Sequence, residues 1–168
     1  MRSIISQQIS TAAARSIRVR LDELIAPERA TAETLARLNH EQFRSAGLSS
    51  QKAAYLHDLS EKVRSGDVQL RQIGRKSDEN VIDELVQIKG VGHWTAQMFL
   101  IFSLGRIDVF PHADLGIRTN IRHLYGLAEL PDKQTCERIA AAWRPYASVA
   151  SWYCWRNGDL PPQTRIVP

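Results

Sequence analysis

An all-α fold is predicted, on three observations. Apolar residues recur at intervals of three and four along most of the chain. Prolines and glycines sit between these periodic runs, and several runs open on a hydroxyl or carboxylate suited to capping a helix. The runs span 4–19, 32–38, 51–64, 78–88, 92–104, 115–125, 133–143 and 146–156, punctuated by Pro27, Pro111, Pro131 and Pro145.

Residues 1–20 carry Arg2, Arg15, Arg18 and Arg20 with hydroxyls and no acid. That pattern superficially fits an organellar transit peptide, but a place in the mature domain is preferred. Residues 66–76 lack a clear period, and Val68, Leu70 and Ile73 fit one short strand or an extended loop. Ser77 followed by Asp78 and Glu79 reads as a helix start, a hydroxyl cap with acids in the first turn. Val81, Ile82, Leu85, Val86 and Ile88 then share one face, until Lys89-Gly90-Val91-Gly92 breaks the period. It resumes at Trp94, Thr95, Met98, Phe99, Ile101 and Phe102 and stops at Gly105. Asp108 to Pro111 reads as extended chain, and Asp114 sits at the N-cap of a helix that Gly126 ends. Pro131-Asp132 is a good entry to the next helix. One domain over 1–160 is expected, with an extended, poorly ordered tail over 161–168.

Two features carry chemistry. Gly90 and Gly92 let the chain reverse tightly between two helices and leave backbone amides bare, which with the second helix's N-terminus makes an anion site suited to a nucleic-acid phosphate. Asp114 is favoured in its ionised form by the helix dipole, and a carboxylate held there suits a reaction that builds positive charge.

Residues 88–96 (IKGVGHWTA), followed by Val109-Phe110-Pro111 and Asp114-Leu115-Gly116-Ile117, resemble the helix-hairpin-helix–GPD superfamily of DNA base-excision glycosylases, in its alkylbase branch, 3-methyladenine DNA glycosylase II. Residues 4–10 (IISQQIS), 47–49 (GLS) with 52–56 (KAAYL), and 144–147 (RPYA) with Trp152-Tyr153 resemble further segments of that family in the same order. The resemblance implies a helix-hairpin-helix glycosylase fold and an enzyme that flips damaged bases out of duplex DNA. It implies Asp114 as the catalytic acid that stabilises the oxocarbenium-like sugar and orients water. Gln7 or Gln8 is implied as the wedge that fills the vacated stack, with nothing to choose between them. Trp94, Met98 and Trp152 are implied as the pocket for a cationic alkylated purine such as 3-methyladenine or 7-methylguanine, which an indole face attracts. Relatives that also nick the strand carry a nucleophilic lysine where this chain has Trp94, so base release without lyase activity is expected. Lys89, Gly90, Gly92, Thr95 and Arg118 are the expected DNA contacts, Arg122 beside them. The carbonyls of Val86, Ile88 and Val91 are expected to hold a structural Na+ or K+. Members of the family usually begin tens of residues earlier, so the fold expected here lacks the first N-terminal helix or helices, by a late start or a real truncation.

Composition bounds the alternatives. The 168 residues, 43% of them apolar, are enough for one domain with a full core. Mean hydropathy is −0.29 and the computed pI about 9.3. Lys plus Arg number 22 against 18 Asp plus Glu, a bias that suits a polyanion. No apolar run reaches membrane-spanning length. Cys136 and Cys154 are expected as reduced thiols; two cysteines make no disulfide framework and fall short of the four an iron–sulfur cluster needs. No cofactor is required, double-stranded damaged DNA is the expected partner, and a monomer is expected. The expected location is the cytoplasm with the nucleoid in a bacterium or the nucleus in a eukaryote, without secretion. Two rival readings remain: a glycosylase for oxidised or deaminated bases, and a non-catalytic helix-hairpin-helix module that binds DNA.

Overall fold

The computed structural model describes residues 1–161 and 164, so most of the tail expected over 161–168 lies outside the described residues. Among the described residues the regular structure is helical, with no strand. The chain divides into two compact units, Met1–Ala96 and a second that begins at Gln97.

In the first unit the helices are α1 (Arg2–Ser6), α2 (Thr11–Ile25), α3 (Ala32–Ala36), α4 (His40–Ser45), α5 (Ser50–Ser65) and α6 (Asp78–Leu85), with a 3-10 turn at Ile73–Arg75. Ser10, Thr31, Asn39, Ser49 and Ser77 cap α2 to α6, each accepting from the amide three residues on. Each such cap stabilises its helix by about 1 kcal/mol. α5 is the central element, packed by α1, α3 and α4. Ile4, Ile5, Leu21, Phe43, Leu56, Ile73 and Val81 are fully buried in this unit.

Three departures from the periodic reading have local causes. The run over 4–19 is two helices, because Ser10 caps α2 while the carbonyls of Ile5 and Gln7 are taken by Lys52 Nζ at 2.7 and 2.6 Å. The 66–76 stretch forms no strand: Val68 and Ile73 turn into the core, and Leu70 stays 42% exposed. α4 escapes the apolar period, since six residues bury only Phe43, but it opens on a capping box between Asn39 and Gln42.

The second unit holds most of α7 (His93–Phe102), a helix whose first turn belongs to the unit before, then α8 (Leu115–Leu124), α9 (Lys133–Ala140), a 3-10 turn at Ala141–Trp143, and α10 (Ala147–Asp159). Phe110, Ile117, Ile121, Cys136, Ala140, Ala147 and Cys154 form its core. α8 and α10 pack closely, and a Cβ added to Gly158 would lie 2.8 Å from Asn120 Nδ2. That amide donates to Gly116 O at 2.9 Å, and Asn157 Nδ2 donates to Asn120 Oδ1 at 3.1 Å, so a buried amide pair fixes how α10 sits on α8. The segment leading to Asp114 is clamped to the start of α10. Ser148 Oγ accepts from Val109 N at 2.9 Å, and Arg144 Nη1 donates to Asp108 O at 2.8 Å. Among the described residues no helix is long and apolar enough to cross a membrane.

Candidate active site

The glycine hairpin lies in the first unit. α6 ends at Leu85, and Ile88 O accepts from Val91 N at 3.0 Å to close the reversal. Gly90 has φ +79°, and a Cβ there would lie 2.2 Å from Tyr55 Cδ2, so both the conformation and the aromatic ring require glycine. Ala96 N donates to Gly92 O at 3.0 Å and opens the helical ladder of α7. The amides before it have no intrahelical acceptor, and nothing lies within 4 Å of a Cβ built on Gly92. This turn is where the sequence predicts an anion site.

Its neighbours differ from expectation in detail. Lys89 is anchored on Asp58: its amide donates to Oδ2 at 2.8 Å, and its ammonium lies 3.6 Å from Oδ1. The Lys89 side chain stays 73% exposed, so its charge still faces solvent. Thr95, expected as a DNA contact, is only 9% exposed. α7 turns that hydroxyl inward, and what Thr95 can offer DNA is its place in the amide row.

The structure separates the two glutamines. Gln7 Nε2 donates to Gly90 O at 2.8 Å, which ties the turn after α1 to the hairpin. Gln8 is exposed and has φ +57°, the single non-glycine residue with positive φ among those described. Such a conformation in a non-glycine residue persists only where surrounding contacts impose it. Here Lys52 imposes it through the two carbonyls before Gln8. Burial lowers the Lys52 pKa from its ordinary value.

The carboxylate lies in the second unit. Asp114 is the N-cap of α8, and its Oδ1 accepts from Ile117 N at 2.9 Å and from Trp155 Nε1 at 3.0 Å. Two donors on one oxygen fix the orientation of the half-buried carboxylate. The Trp155 ring rests on Phe102, centroids 5.7 Å apart. Beneath it Cys154 is buried, its thiol pushed up to about 11 first by burial and then by the charge of Asp114.

The indole that reaches Asp114 is therefore that of Trp155. Trp152, three residues earlier on α10, is 45% exposed, with Arg156 Cζ 5.7 Å from its ring centre. Met98 is half-buried, one turn after Trp94, which is 45% exposed. Arg118 donates from Nε to Pro131 O at 2.9 Å, so it braces α8 against the entry to α9.

A family model described as the HhH-GPD superfamily base excision DNA repair protein matches residues 1–145. The chain belongs to that superfamily. DNA-3-methyladenine glycosylase 1 of Schizosaccharomyces pombe is 34% identical over 169 residues, covering 99% of this chain and 74% of the relative. A Bacillus subtilis relative, YfjP, is 36% identical over 125 residues, and that match spans 74% of this chain but 44% of the relative's length. Among solved structures, the S. pombe 3-methyladenine DNA glycosylase in complex with abasic DNA superposes with a TM-score of 0.82 at 35% identity, covering 95% of this chain and 78% of that one.

Within this superfamily member, sequence reasoning missed Trp155 and, although it singled out residues 52–56, gave Lys52 and Tyr55 no role. For Trp155 a signal existed, two tryptophans three apart on one helix, of which only one can face α8 squarely. Lys52 and Tyr55 act through backbone carbonyls and ring packing, and neither leaves a local pattern.

Proposed function

We propose that the chain is a monofunctional DNA glycosylase that removes alkylated purines, of the 3-methyladenine and 7-methylguanine type, and leaves an abasic site. The observation that carries this reading is Asp114, its Oδ1 held by both the first turn of α8 and Trp155. A carboxylate fixed in advance stabilises a cation that develops beside it without reorganising, and so favours the transition state over the ground state.

Binding begins with the phosphate backbone on the hairpin amides, with Lys89 adding charge. Rotating the nucleotide out of the stack costs a few kcal/mol. Gln8 fills the gap as the wedge; Gln7 is committed to Gly90. The extruded purine carries positive charge, which suits the π face of Trp155 and the polarizable side chain of Met98. As the bond from the base nitrogen to C1′ breaks, its electrons neutralise the purine and positive charge appears on the sugar. Asp114 stabilises that charge, a water attacks C1′, and its proton leaves through the carboxylate. Trp94 has no amine to form a Schiff base, so the strand stays intact. The carbonyls of Val86, Ile88 and Val91 are neutral oxygen donors of the kind that would hold a hard cation, here Na+ or K+; Ile88 O keeps one lone pair after its bond to Val91. A cation there would stiffen the hairpin and add charge toward phosphate.

The test is base release from methylated duplex DNA, wild type beside Asp114→Asn, with and without alkali. Free methylpurine from wild type alone, with breaks only after alkali, is the expected result. Release that survives Asp114→Asn would remove Asp114 from the mechanism, and breaks without alkali would mean a lyase.

A further inference from the structure

A cleft of about 510 Å³ lies between α1 and α2. Arg2, Arg15 and Arg18 line it, with the hydroxyl residues Ser6 and Thr11 and the apolar Ile9. Thr11, Arg15 and Arg18 fall on one face of α2 by helical spacing. The cleft runs up to the turn that presents Gln8, since Ile9 follows the wedge directly and is itself 36% exposed.

The charges in this cleft are unbalanced. Among the described residues none of the three guanidiniums has a carboxylate partner, and the first acid in the sequence, Asp22, lies beyond the liners. Arg20 contrasts with them: it donates to Ala46 O at 3.4 Å and serves the fold. Arg2 also stands at the N-terminal end of α1, where the helix dipole disfavours a cation. Three like charges placed together without a carboxylate repel one another in the folded chain. They match a polyanion that arrives as a row of singly charged groups.

We infer that the α1–α2 cleft is a second backbone-binding site, taking a phosphodiester segment of the duplex beside the wedge. It rests on the DNA-glycosylase reading, and its chemistry is independent of Asp114. Guanidiniums suit the task, because each presents paired donors to phosphate oxygens. Thr11 adds a neutral hydroxyl, Ser6 Oγ being spent on Arg2 O at 2.7 Å, and Ile9 supplies the apolar part of the lining. The hairpin amides would then hold one stretch of backbone and the cleft another, with the wedge entering next to the second.

The experiment is a salt titration of affinity, by fluorescence anisotropy, for a short duplex containing a tetrahydrofuran abasic-site analogue. Each phosphate contact contributes about 0.9 to the slope of log K against log salt. The variant Arg15→Gln/Arg18→Gln should lower that slope by about 2 and weaken undamaged and abasic duplexes by the same factor. Arg15→Lys/Arg18→Lys should keep most of the slope. An unchanged slope in a variant that melts like wild type would overturn the inference. If the glutamine variant unfolds, wild type is titrated instead against duplexes carrying single neutral methylphosphonates around the abasic site. A slope insensitive to every replacement outside the hairpin's own footprint would overturn it equally. The two readings fail separately: no base release with the slope change present sinks the catalytic reading, and base release with an unchanged slope sinks this one.

Discussion

Replacing Gly90 with alanine tests the hairpin where its geometry is tightest. The residue has φ +79°, and a left-handed alanine costs about 1–2 kcal/mol. The new methyl would also lie 2.2, 2.3 and 2.6 Å from three atoms of the Tyr55 ring, against ordinary contact near 4 Å. The ring must swing away, giving up the hydrogen bond that Tyr55 Oη accepts from Gln51 Nε2 at 2.7 Å. Overpacking of this kind costs about 1–3 kcal/mol. Together the effects amount to roughly 2–5 kcal/mol, a large share of a domain's 5–15 kcal/mol. At about 2–4 °C per kcal/mol for a chain of this size, the midpoint should fall by roughly 4–20 °C. The assay is a thermal or urea melt of wild type, Gly90→Ala, Tyr55→Ala and the double variant. Because Tyr55→Ala removes the overlap and leaves the strained φ, the double variant should be less destabilised than the sum by about 1–3 kcal/mol. Simple additivity, or Gly90→Ala melting with wild type, would refute the close approach of ring and hairpin.

Trp155→Phe keeps an aromatic ring and removes the donor to Asp114; a hydrogen bond to a charged group is worth about 1.5–3 kcal/mol. Base release at saturating DNA should slow by roughly ten- to a hundredfold with little change in affinity, and a change in KM alone would mean that Trp155 only binds. Gln8→Ala should slow release from paired duplex far more than from a bulged or single-stranded substrate, whereas Gln7→Ala should lower the melting midpoint by loosening the hairpin; equal behaviour of the two would contradict their separate roles. Asn157→Ala leaves Asn120 Oδ1 without its donor and should destabilise the chain by about 1–3 kcal/mol in a denaturant titration. The Cys154 thiol is raised from its ordinary 9 to about 11, so the folded state holds its proton after the unfolded state has lost it. Its contribution, roughly 1–3 kcal/mol, is complete below pH 9 and lost as pH rises toward 11; Cys154→Ala should flatten that alkaline limb, and a limb of unchanged steepness would rule the thiol out.

The hairpin and the carboxylate were legible because both depend on local signals. Gly90 and Gly92 break a strong helical period, and Asp114 precedes a helix whose N-cap it becomes. What stayed hidden depends on how helices meet. Choosing Trp155 over Trp152 needs the register of α10 on α8, which the Asn120–Asn157 pair and the small Gly158 set across 37 residues of sequence. The break between α1 and α2 needs Lys52, more than forty residues away, to draw off two carbonyls that would otherwise continue a helix. Thr95 fits a polar hairpin flank in sequence, yet the turn of α7 carries it into the interior.

Lys52 and Gln7 between them secure the chain leading into position 8, and neither uses the side chain of Gln8 to do so. Position 8 is thus a socket with an exchangeable occupant. Residues that accept a left-handed backbone, asparagine and glycine above all, should fit without disturbing the hairpin, whereas valine or isoleucine should strain the whole mount. With Gln8 as the proposed wedge, the shape presented to an opened base pair should be retuned by one substitution while the grip on the backbone stays as it is. A repair enzyme built this way can change how it searches DNA without changing how it holds on.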